Sequence, residues 1–354
     1  EEDGESGMFR YFCGIMVSEE DERYMRRALE LARAGRYDTS PNPMVGAVVV
    51  CDGMIVGEGF HRRFGKGHAE VNAIESVREK GLLSRSTIYV TLEPCSHYGK
   101  TPPCAKLIID SGIPRVVVGM NDPNERVAGR GVAMLRDAGV EVVTGVLEDE
   151  CRELNRKFVT AHTLHRPYIT LKWAQSSDGY IDSDRPDEGE AVKFSTPVTS
   201  MLSHRLRATN DMIIVGANTM RRDRPSLTTR LWPGRDPYPA VFTRTLDIPR
   251  STGSRYVPLC LPGIGDGTPE AFETTVSNLF KNGLMTCGAI SVLVEGGANL
   301  LQQFIDHGLW DEARVETAPL MLGGGVKAPR LDAAPTSSVT IDGRIIETYR
   351  RGEG

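Results

Sequence analysis

The chain has 354 residues, of which 40% are hydrophobic and 25% are charged, a globular composition with enough length for two hydrophobic cores. Its formal net charge of −5 and its pI near 5.9 exclude an overall basic surface of the kind that holds a nucleic-acid backbone. No run of apolar residues is long enough to predict a membrane span. We therefore expect two domains, with neither nucleic acid nor a membrane as a partner.

The N-terminal segment, residues 1–18, has acidic residues where a secretory signal would carry basic ones, and we predict that it is a disordered tail. Residues 351–354 are predicted to be disordered as well. The seven cysteines are scattered over the chain and do not suggest a disulfide framework. These features predict a cytoplasmic protein, in which a close pair of cysteines serves a metal or catalysis.

In the first half, helical and strand patterns alternate along the chain. A helix over 25–35 is followed by a hairpin over 44–59 that turns at an Asp-Gly pair. The pattern then predicts a helix over 68–80, a strand over 87–92, a helix over 102–112, a strand over 115–120, a helix over 130–138, a strand over 140–146 and a helix over 151–162. This alternation predicts an α/β sheet with crossover helices.

The segment TLHRP, with a proline at position 167, interrupts the pattern and predicts a boundary between domains of residues 19–163 and 168–351. A mobile loop is predicted over 183–191. The second half is predicted to contain strands over 168–175, 211–216, 239–243, 256–261, 289–295 and 312–318, and helices over 197–208, 269–282 and 298–308. It is therefore a second α/β domain.

The stretches HAEVNAI and TLEPCSHYGKTPPC carry the strongest chemical signal. A catalytic zinc ion commonly has three protein ligands and one open position, and His68, Cys95 and Cys104 provide such a set. Glu70 lies two residues after the histidine, where it can carry a proton without binding the metal. This pattern is the signature of zinc-dependent nucleobase deaminases. The alternatives are two unrelated cysteines or a structural zinc ion, which usually needs a fourth ligand, and His97 lies too close to Cys95 to provide it comfortably.

Eight residues separate the two cysteines, instead of the two found in nucleic-acid and cytidine deaminases. The insert SHYGKTPP, together with PNPMVGA (41–47) and NDPNERVAGRG (121–131), resembles the bifunctional deaminase-reductase family of bacterial riboflavin biosynthesis, and the resemblance extends over about residues 20–350. It implies a cytidine-deaminase-like N-terminal domain and a dihydrofolate-reductase-like C-terminal domain. The implied reactions are hydrolytic deamination of a diaminopyrimidinone that carries a ribosylamino phosphate, and then reduction of its ribosyl group by NADPH.

The resemblance also implies which residues contact the deaminase substrate. Lys100 would meet the phosphate as a point charge, and the Asn42 amide offers a donor and an acceptor to a pyrimidine edge. The positions that match the family's substrate contacts, besides Glu70, are Asn42, His61, His97, Lys100, Asp122 and Asn124.

In the second half, VEGGANLL ends a strand with two glycines and begins a helix, so its backbone N–H groups suit a pyrophosphate, although a tight turn without a ligand is an equal alternative. There is no Gly-x-Gly-x-x-Gly motif after a strand. The resemblance places the sugar phosphate against Arg207, Leu227, Arg230 and Glu295. Lys172, on the strand that opens the domain, is a candidate for a polar contact to the ribose, although a strand lysine is more often structural or solvated. The resemblance places NADPH against Ala174, Thr219, Asp223, Gly297, Ala298, Asn299 and Leu300.

This chain departs from the family at KFS, Lys193–Ser195, where many relatives have WIT, so that Lys193 replaces an indole against the cofactor. Arg244 is a candidate for the 2′-phosphate of NADPH, although a solvent-facing arginine is an equal interpretation. Alternatives stay open: a nucleoside or nucleic-acid deaminase with a non-catalytic C-terminal binding domain, a ligand-binding module with a structural zinc ion, or a reductase half without turnover. We expect zinc and NADPH as cofactors, a phosphorylated pyrimidine as substrate, and a homo-oligomer.

Overall fold

The structure, a computed structural model, divides the chain into two compact units, Glu1–Thr163 and Leu164–Gly354. Among the described residues, no helix combines the length and the apolar composition that a bilayer crossing requires. The residues described are 10–12, 15–98, 102–125, 127–187, 189–243, 257–260, 274, 276–277 and 288–352.

The first unit begins with a short antiparallel hairpin of β1 (Arg10–Phe12) and β2 (Ile15–Val17). This pairing corrects the prediction of disorder for that part of residues 1–18. Helix α1 (Glu19–Ala32) follows, and it starts at Ser18 because the Ser18 hydroxyl accepts from the N–H of Asp21 while the Asp21 carboxylate accepts from the N–H of Ser18. The four acidic residues of its first turn stabilise the helix N-terminus.

The sheet of the first unit has five strands in the order β4-β3-β5-β6-β7. Strands β3 and β4 form the antiparallel hairpin that the Asp-Gly turn predicts, β5 pairs antiparallel with β3, and β5, β6 and β7 are parallel. The strands are β3 (Gly46–Cys51), β4 (Met54–Phe60), β5 (Ser86–Leu92), β6 (Arg115–Met120) and β7 (Glu141–Thr144). The helices between them are α2 (Ala69–Ser76), α3 (Cys104–Asp110) and α4 (Arg130–Asp137).

The helix predicted over 151–162 is two helices, α5 (Glu148–Leu154) and α6 (Arg156–Thr163), which meet at Asn155. The buried Asn155 amide accepts from the N–H of Met44 at 2.8 Å and donates to the carbonyl of Met44 at 2.9 Å. The Asn155 side chain thus bonds a segment that is distant in the chain, while its own N–H still donates to the Cys151 carbonyl at 3.2 Å. Asn155 therefore fixes the loop before β3 to the junction of α5 and α6.

The second unit has an eight-stranded sheet in the order β12-β11-β10-β13-β8-β14-β17-β16. Its strands are parallel from β12 to β14, and β17 and β16 complete it as an antiparallel hairpin. The parallel strands are β8 (Tyr168–Ser176), β10 (Met212–Gly216), β11 (Tyr238–Thr243), β12 (Val257–Cys260), β13 (Ser291–Glu295) and β14 (Glu312–Ala318). The hairpin is β16 (Ser337–Ile341) and β17 (Arg344–Arg350).

Helices α7 (Pro197–Ala208), α8 (Ala217–Asp223) and α9 (Ala298–Asp306) accompany this sheet, and β9 (Tyr180–Asp182) pairs with β15 (Val326–Lys327) in a separate ribbon. The sequence patterns predicted neither α8 nor the β16–β17 hairpin. The helix predicted over 269–282 lies almost wholly outside the described residues. The core packs α9 against the strands through Leu301, Phe304 and Val294, all fully buried.

The loop predicted to be mobile, 183–191, is anchored to α8 in its described part. The Arg185 side chain is 7% exposed and forms ion pairs with Asp182 and Asp223. In return, the Arg222 guanidinium donates to the Arg185 carbonyl at 2.6 Å. Arg185 and Arg222 therefore tie the loop to α8.

Candidate active sites

Three elements of the first unit bring His68, Cys95 and Cys104 together. His68 is the N-cap residue of α2, Cys95 follows β5 after Glu93 and Pro94, and Cys104 is the first residue of α3. The α3 start is fixed to the β5 end, because the N–H of Ala105 donates to the Cys95 carbonyl at 3.2 Å. The residues lie at the carboxyl end of β5, where open α/β sheets bind ligands.

The spacing of the donor atoms fits a tetrahedral zinc ion. The Nδ1 atom of His68 lies 3.6 Å from Cys95 Sγ and 3.4 Å from Cys104 Sγ, and all three donor atoms lie within 4.8 Å of one another. Zinc bonds of about 2.05 Å to nitrogen and about 2.3 Å to sulfur at a tetrahedral angle separate the two atoms by about 3.6 Å. The residues therefore suit zinc with one position left for another ligand.

The Cys95 thiol is arranged to form a thiolate. Hydrogen bonds from the Cys104 thiol, from His68 and from the N–H of Cys104 lower the pKa of Cys95 to about 4 against the opposing effect of burial. The hydrogen bond to Cys95 and burial raise the pKa of Cys104. A bound zinc ion favours the ionised form of both sulfurs.

Glu70 lies in the first turn of α2 and is 3% exposed. Burial raises its pKa to about 7, and His68 opposes this rise. A bound cation lowers the value again, because a nearby positive charge favours the carboxylate. Glu70 is therefore a buried carboxyl group, beside the donor atoms, that can exchange a proton near neutral pH.

Asn42 and His61 are in direct contact, and the contact fixes the orientation of the amide. The His61 Nδ1 atom lies 3.1 Å from the carbonyl of Gly67, which can only accept, so Nδ1 carries the proton. The His61 Nε2 atom must then accept from the Asn42 Nδ2 atom, 3.2 Å away. Burial lowers the pKa of His61 and keeps the ring neutral. The amide oxygen of Asn42 is therefore the atom left to accept from a ligand.

The remaining predicted substrate residues lie on two loops. His97 is exposed, and Asp122 and Asn124 are half-buried. Burial raises the pKa of Asp122, whose carboxylate accepts from the N–H of Asn124 at 2.9 Å. Lys100 lies outside the described residues. Sequence analysis missed Glu93, which accepts from the N–H of Asp122 at 3.2 Å, although it stands inside the TLEPC motif.

In the second unit, the structure brings Lys172, Arg207 and Glu295 together. Glu295 ends β13 and lies opposite Lys172 in the register of β13 and β8. The Arg207 guanidinium donates to both Glu295 oxygens at 3.1 and 2.6 Å and to the Thr228 carbonyl at 3.0 Å. Burial opposes ionisation of Glu295, but Arg207 and Lys172 outweigh it and lower its pKa. Three of the five Arg207 N–H groups are thus in use, and two stay for an anion.

Leu227 and Arg230 belong to the loop that receives Arg207. Leu227 has a φ of 54°, which a residue other than glycine rarely adopts, and the Arg230 guanidinium donates to the Thr228 hydroxyl at 2.8 Å.

Sequence analysis missed His204, which is 6% exposed and accepts from the N–H of Leu231 at 3.3 Å. Burial, then Arg207 and Arg230, lower its pKa. The only sequence signal for His204 was its place on the same predicted helix as Arg207, four residues before the helix ends at Ala208.

The predicted cofactor residues of α8 and α9 meet at the two-glycine turn. The N–H of Gly297 donates to the Thr219 hydroxyl at 3.0 Å. A Cβ atom on Gly296 would lie 3.3 Å from the N–H nitrogen of Gly216, so the turn packs closely on the β10–α8 junction. Gly297 is an N-cap without a side-chain hydrogen bond, so the amides of Ala298 and Asn299 at the start of α9 suit a pyrophosphate, whereas the N–H of Leu300 donates to the Gly297 carbonyl at 3.1 Å.

Other predicted cofactor residues have different neighbours. Asp223 ends α8 and is ion-paired with Arg185, and Ala174 lies opposite Glu316 in the register of β8 and β14. Lys193 is exposed, and Arg244 lies outside the described residues. No sequence signal pointed to Glu316, which is 4% exposed and accepts from the hydroxyls of Ser195 at 2.7 Å and Thr199 at 2.6 Å. Glu316 therefore holds the KFS segment and the start of α7 beside Ala174.

Two family models match the chain. The model described as "Cytidine and deoxycytidylate deaminase zinc-binding region" matches residues 18–120, and the one described as "RibD C-terminal domain" matches residues 167–349. The chain is 40% identical to the riboflavin biosynthesis protein RibD of Aquifex aeolicus over 326 residues, which cover 88% of this chain and 90% of that protein. It is 37% identical to RibD of Escherichia coli over 336 residues, which cover 87% of this chain and 90% of that protein.

Solved structures agree with these matches over nearly the whole chain. Acinetobacter baumannii RibD has a TM-score of 0.83 at 30% identity and covers 95% of this chain and 99% of its own. A diaminohydroxyphosphoribosylaminopyrimidine deaminase/5-amino-6-(5-phosphoribosylamino)uracil reductase from Thermotoga maritima has a TM-score of 0.80 at 35% identity, and covers 94% of this chain and 98% of its own.

Proposed function

The chain belongs to the RibD family of riboflavin biosynthesis, a bifunctional enzyme with a zinc-type deaminase domain and an NADPH-dependent reductase domain, and we propose that its substrates are those named for the Thermotoga maritima relative. It would deaminate the diaminopyrimidinone that carries a ribosylamino phosphate and then reduce the ribosyl group of the product. The match of the second half to a reductase domain disfavours the alternative of a non-catalytic C-terminal binding domain.

We assign deamination to the first unit, with His68, Cys95 and Cys104 as the zinc ligands. The reaction adds water to the ring carbon that bears the amine, releases ammonia and leaves a carbonyl group. Zinc, when bound, supplies a hydroxide at neutral pH. Glu70 takes a proton from the water and delivers it to the departing amine, a task that suits a buried carboxyl group beside the ligands.

The other first-unit residues would bind and orient the pyrimidine phosphate. Asn42 presents its amide oxygen to the ring, because His61 occupies the amide nitrogen. Asp122 and Asn124 would face the polar groups of the substrate, with His97 and Lys100 from the loop between the cysteines. Sequence matches to the family support this set. The hydrogen bond between Asn42 and His61 adds a physical reason for the role of Asn42, because it orients the amide.

We assign reduction to the second unit. NADPH, when bound, would supply a hydride to the sugar carbon bonded to the amine; the C–O bond of the sugar ring at this carbon would break, and a proton would go to the oxygen that becomes a hydroxyl group of the ribityl chain. Arg207, Arg230 and the backbone at Leu227 would hold the sugar phosphate, and Lys172 and Glu295 would lie near the reacting carbon. The ion pair of Arg207 with Glu295 orients the guanidinium and leaves two N–H groups for phosphate oxygens. Ala174, Lys193, Thr219, Asp223 and the start of α9 would line the cofactor.

We also propose a cytoplasmic location, because the thiolates that would bind zinc persist in a reducing compartment. The described cysteines support this, since Cys51, Cys95, Cys104 and Cys151 are free thiols. A homo-oligomeric state stays a prediction.

The observation that carries the proposal is the convergence of one imidazole nitrogen and two sulfurs at zinc spacing beside the buried Glu70. The test supplies the phosphorylated diaminopyrimidinone and records ammonia release and NADPH oxidation separately. We expect Glu70→Gln to keep its zinc and to lose ammonia release by about a hundredfold or more, the usual contribution of a positioned acid-base group.

The matched control is Cys104→Ser, which should lose both zinc and ammonia release because a thiolate ligand is gone. Near-normal deamination by Glu70→Gln would refute the role of the carboxyl group. Full zinc occupancy in Cys104→Ser would refute the ligand set.

A further inference from the structure

Glu93 has a buried carboxylate that neither chemical step uses. It lies between β5 and Cys95, is 4% exposed, and accepts hydrogen bonds from four backbone N–H groups. Its Oε1 atom accepts from Gly131 at 2.8 Å and Val132 at 3.2 Å. Its Oε2 atom accepts from Gly129 at 2.9 Å and Asp122 at 3.2 Å. One side chain therefore joins the zinc-ligand turn to the start of α4 and to the loop before it.

The start of α4 explains why a carboxylate suits this place. The first N–H groups of a helix have no acceptor within the helix and carry partial positive charge. The N-cap residue of α4 is Gly129, which has a φ of 75° and no side chain to cap these groups. Glu93 supplies the missing acceptors from another element. A glutamine in its place would offer one acceptor oxygen and would turn its NH2 group toward N–H donors.

Close packing shows that the contact is built into the fold. A Cβ atom on Gly131 would lie 1.9 Å from the Pro94 carbonyl oxygen and 3.2 Å from Glu93 Oε1. Only glycine at this position lets α4 approach the turn that leads to Cys95. The helix start and the zinc-ligand turn are therefore in direct contact through Glu93 and Pro94.

The loop before α4 carries two residues that we assign to the substrate. It is wound on itself by the bond from the N–H of Asn124 to Asp122 and by bonds from the N–H groups of Val127 and Ala128 to the Asn124 carbonyl, both at 2.8 Å. These bonds shape the loop but do not place it. Glu93 holds it at both ends, through Asp122 and through Gly129.

We propose that Glu93 is a positioning residue for deamination, which holds Asp122 and Asn124 at a fixed place relative to the zinc ligand Cys95. This inference rests on the proposed function, which assigns those two residues to the substrate. Without the carboxylate, the loop keeps its internal bonds but loses its fixed position. Substrate binding would then weaken more than the chemical step.

The test compares Glu93→Gln with the unaltered full-length chain. We expect the variant to keep its zinc and to show a KM for deamination that is about tenfold higher or more, because hydrogen bonds to a charged group are lost. The fall in kcat should be smaller than the rise in KM. NADPH oxidation with supplied deaminated intermediate should be unchanged. Asp21→Asn is the matched control, because it alters another buried carboxylate of the same unit that bonds Arg115 and Tyr89 instead of the loop.

If Glu93→Gln fails to fold, Glu93→Asp replaces it, since it keeps the charge but shortens the reach, and a raised KM is expected there too. A wild-type KM in a folded, zinc-loaded variant would overturn the proposal. So would an equal rise in Asp21→Asn, or a loss of zinc that parallels the loss of activity. Failure of the proposed function is a different result, in which the unaltered chain releases no ammonia from the diaminopyrimidinone.

Discussion

Buried carboxyl groups of the first unit differ in the partners that surround them. Asp21 faces a guanidinium and a phenol, and these partners outweigh burial and lower its pKa. Glu70 lies within the first turn of α2, and there burial dominates and raises the pKa to about 7. A buried carboxyl group is thus a fixed anion in one place and the proposed proton carrier in the other.

Asp21 provides a test of this contrast in the dependence of stability on pH. Its carboxylate accepts from Arg115 at 2.9 and 3.1 Å and from the Tyr89 hydroxyl at 3.0 Å, and so ties α1 to β5 and β6. We expect Asp21→Asn to lower the free energy of unfolding at pH 7 by about 1–3 kcal/mol, because the charged hydrogen bonds are lost.

The sign of the pH effect follows from the lowered pKa of Asp21. Its contribution is complete above the unfolded value of about 4 and disappears as the pH falls through the lower folded value. Urea unfolding of both proteins should therefore show a gap in free energy that narrows below about pH 4. A gap that stays constant from pH 7 to strongly acidic pH would contradict this assignment.

At the scale of elements, the junction of α5 and α6 bonds the loop that carries Asn42 of the proposed deaminase site. Asn155 ends α5 and bonds both backbone groups of Met44, two residues after Asn42. The junction is thus a clamp on the loop that presents Asn42 and begins β3.

We expect Asn155→Ala to lower the free energy of unfolding by about 1–3 kcal/mol, because it leaves the Met44 N–H and carbonyl without their partners. The KM for deamination should rise as the loop loosens, and NADPH oxidation should stay unchanged. Arg152→Ala is the control on the same helix. Its ion pair with Glu148 is exposed, so its removal should cost no more than a few tenths of a kcal/mol. Equal stability of the two variants in urea unfolding would contradict the clamp.

At the scale of the whole molecule, each set of proposed site residues lies within one unit. The zinc ligands, Glu70 and Asn42 precede the division between Thr163 and Leu164, and the reductase residues follow it. The connecting segment belongs to the second unit, because the Arg166 guanidinium donates to both oxygens of Asp311 at 2.6 and 2.7 Å. The two chemical activities should therefore be separable by substitution.

We expect Glu70→Gln to abolish ammonia release and to leave NADPH oxidation within about twofold when the deaminated intermediate is supplied, because the two sets of residues lie in different units and independent sites behave additively. Glu295→Gln should have the converse effect, since it removes a charged partner of Arg207 and leaves the first unit intact. Each rate is measured with both variants. Loss of NADPH oxidation in folded, zinc-loaded Glu70→Gln would show that the sites are not independent.

The sequence by itself determined the fold class, the pairing of a deaminase with a reductase, and the two cofactors, and the comparisons confirm them. The α/β alternation and the zinc pattern could be predicted because periodic apolar residues and a His-x-Glu and Pro-Cys pattern are local in the chain, whereas the reductase half and NADPH came from the resemblance to the deaminase-reductase family. The ligand assignment of His68, Cys95 and Cys104 stays a prediction, which the spacing of their donor atoms supports.

Only the tertiary structure decided which polar groups partner one another. These contacts join residues that are distant in the chain or have no periodic signal. They are the hydrogen bonds from four amides to Glu93, from the Met44 N–H to Asn155 and from two hydroxyls to Glu316, and the ion pair that fixes the loop at Arg185. A hydrogen-bond partner depends on which groups the packed strands and helices bring within about 3 Å, and a linear pattern carries no measure of that distance.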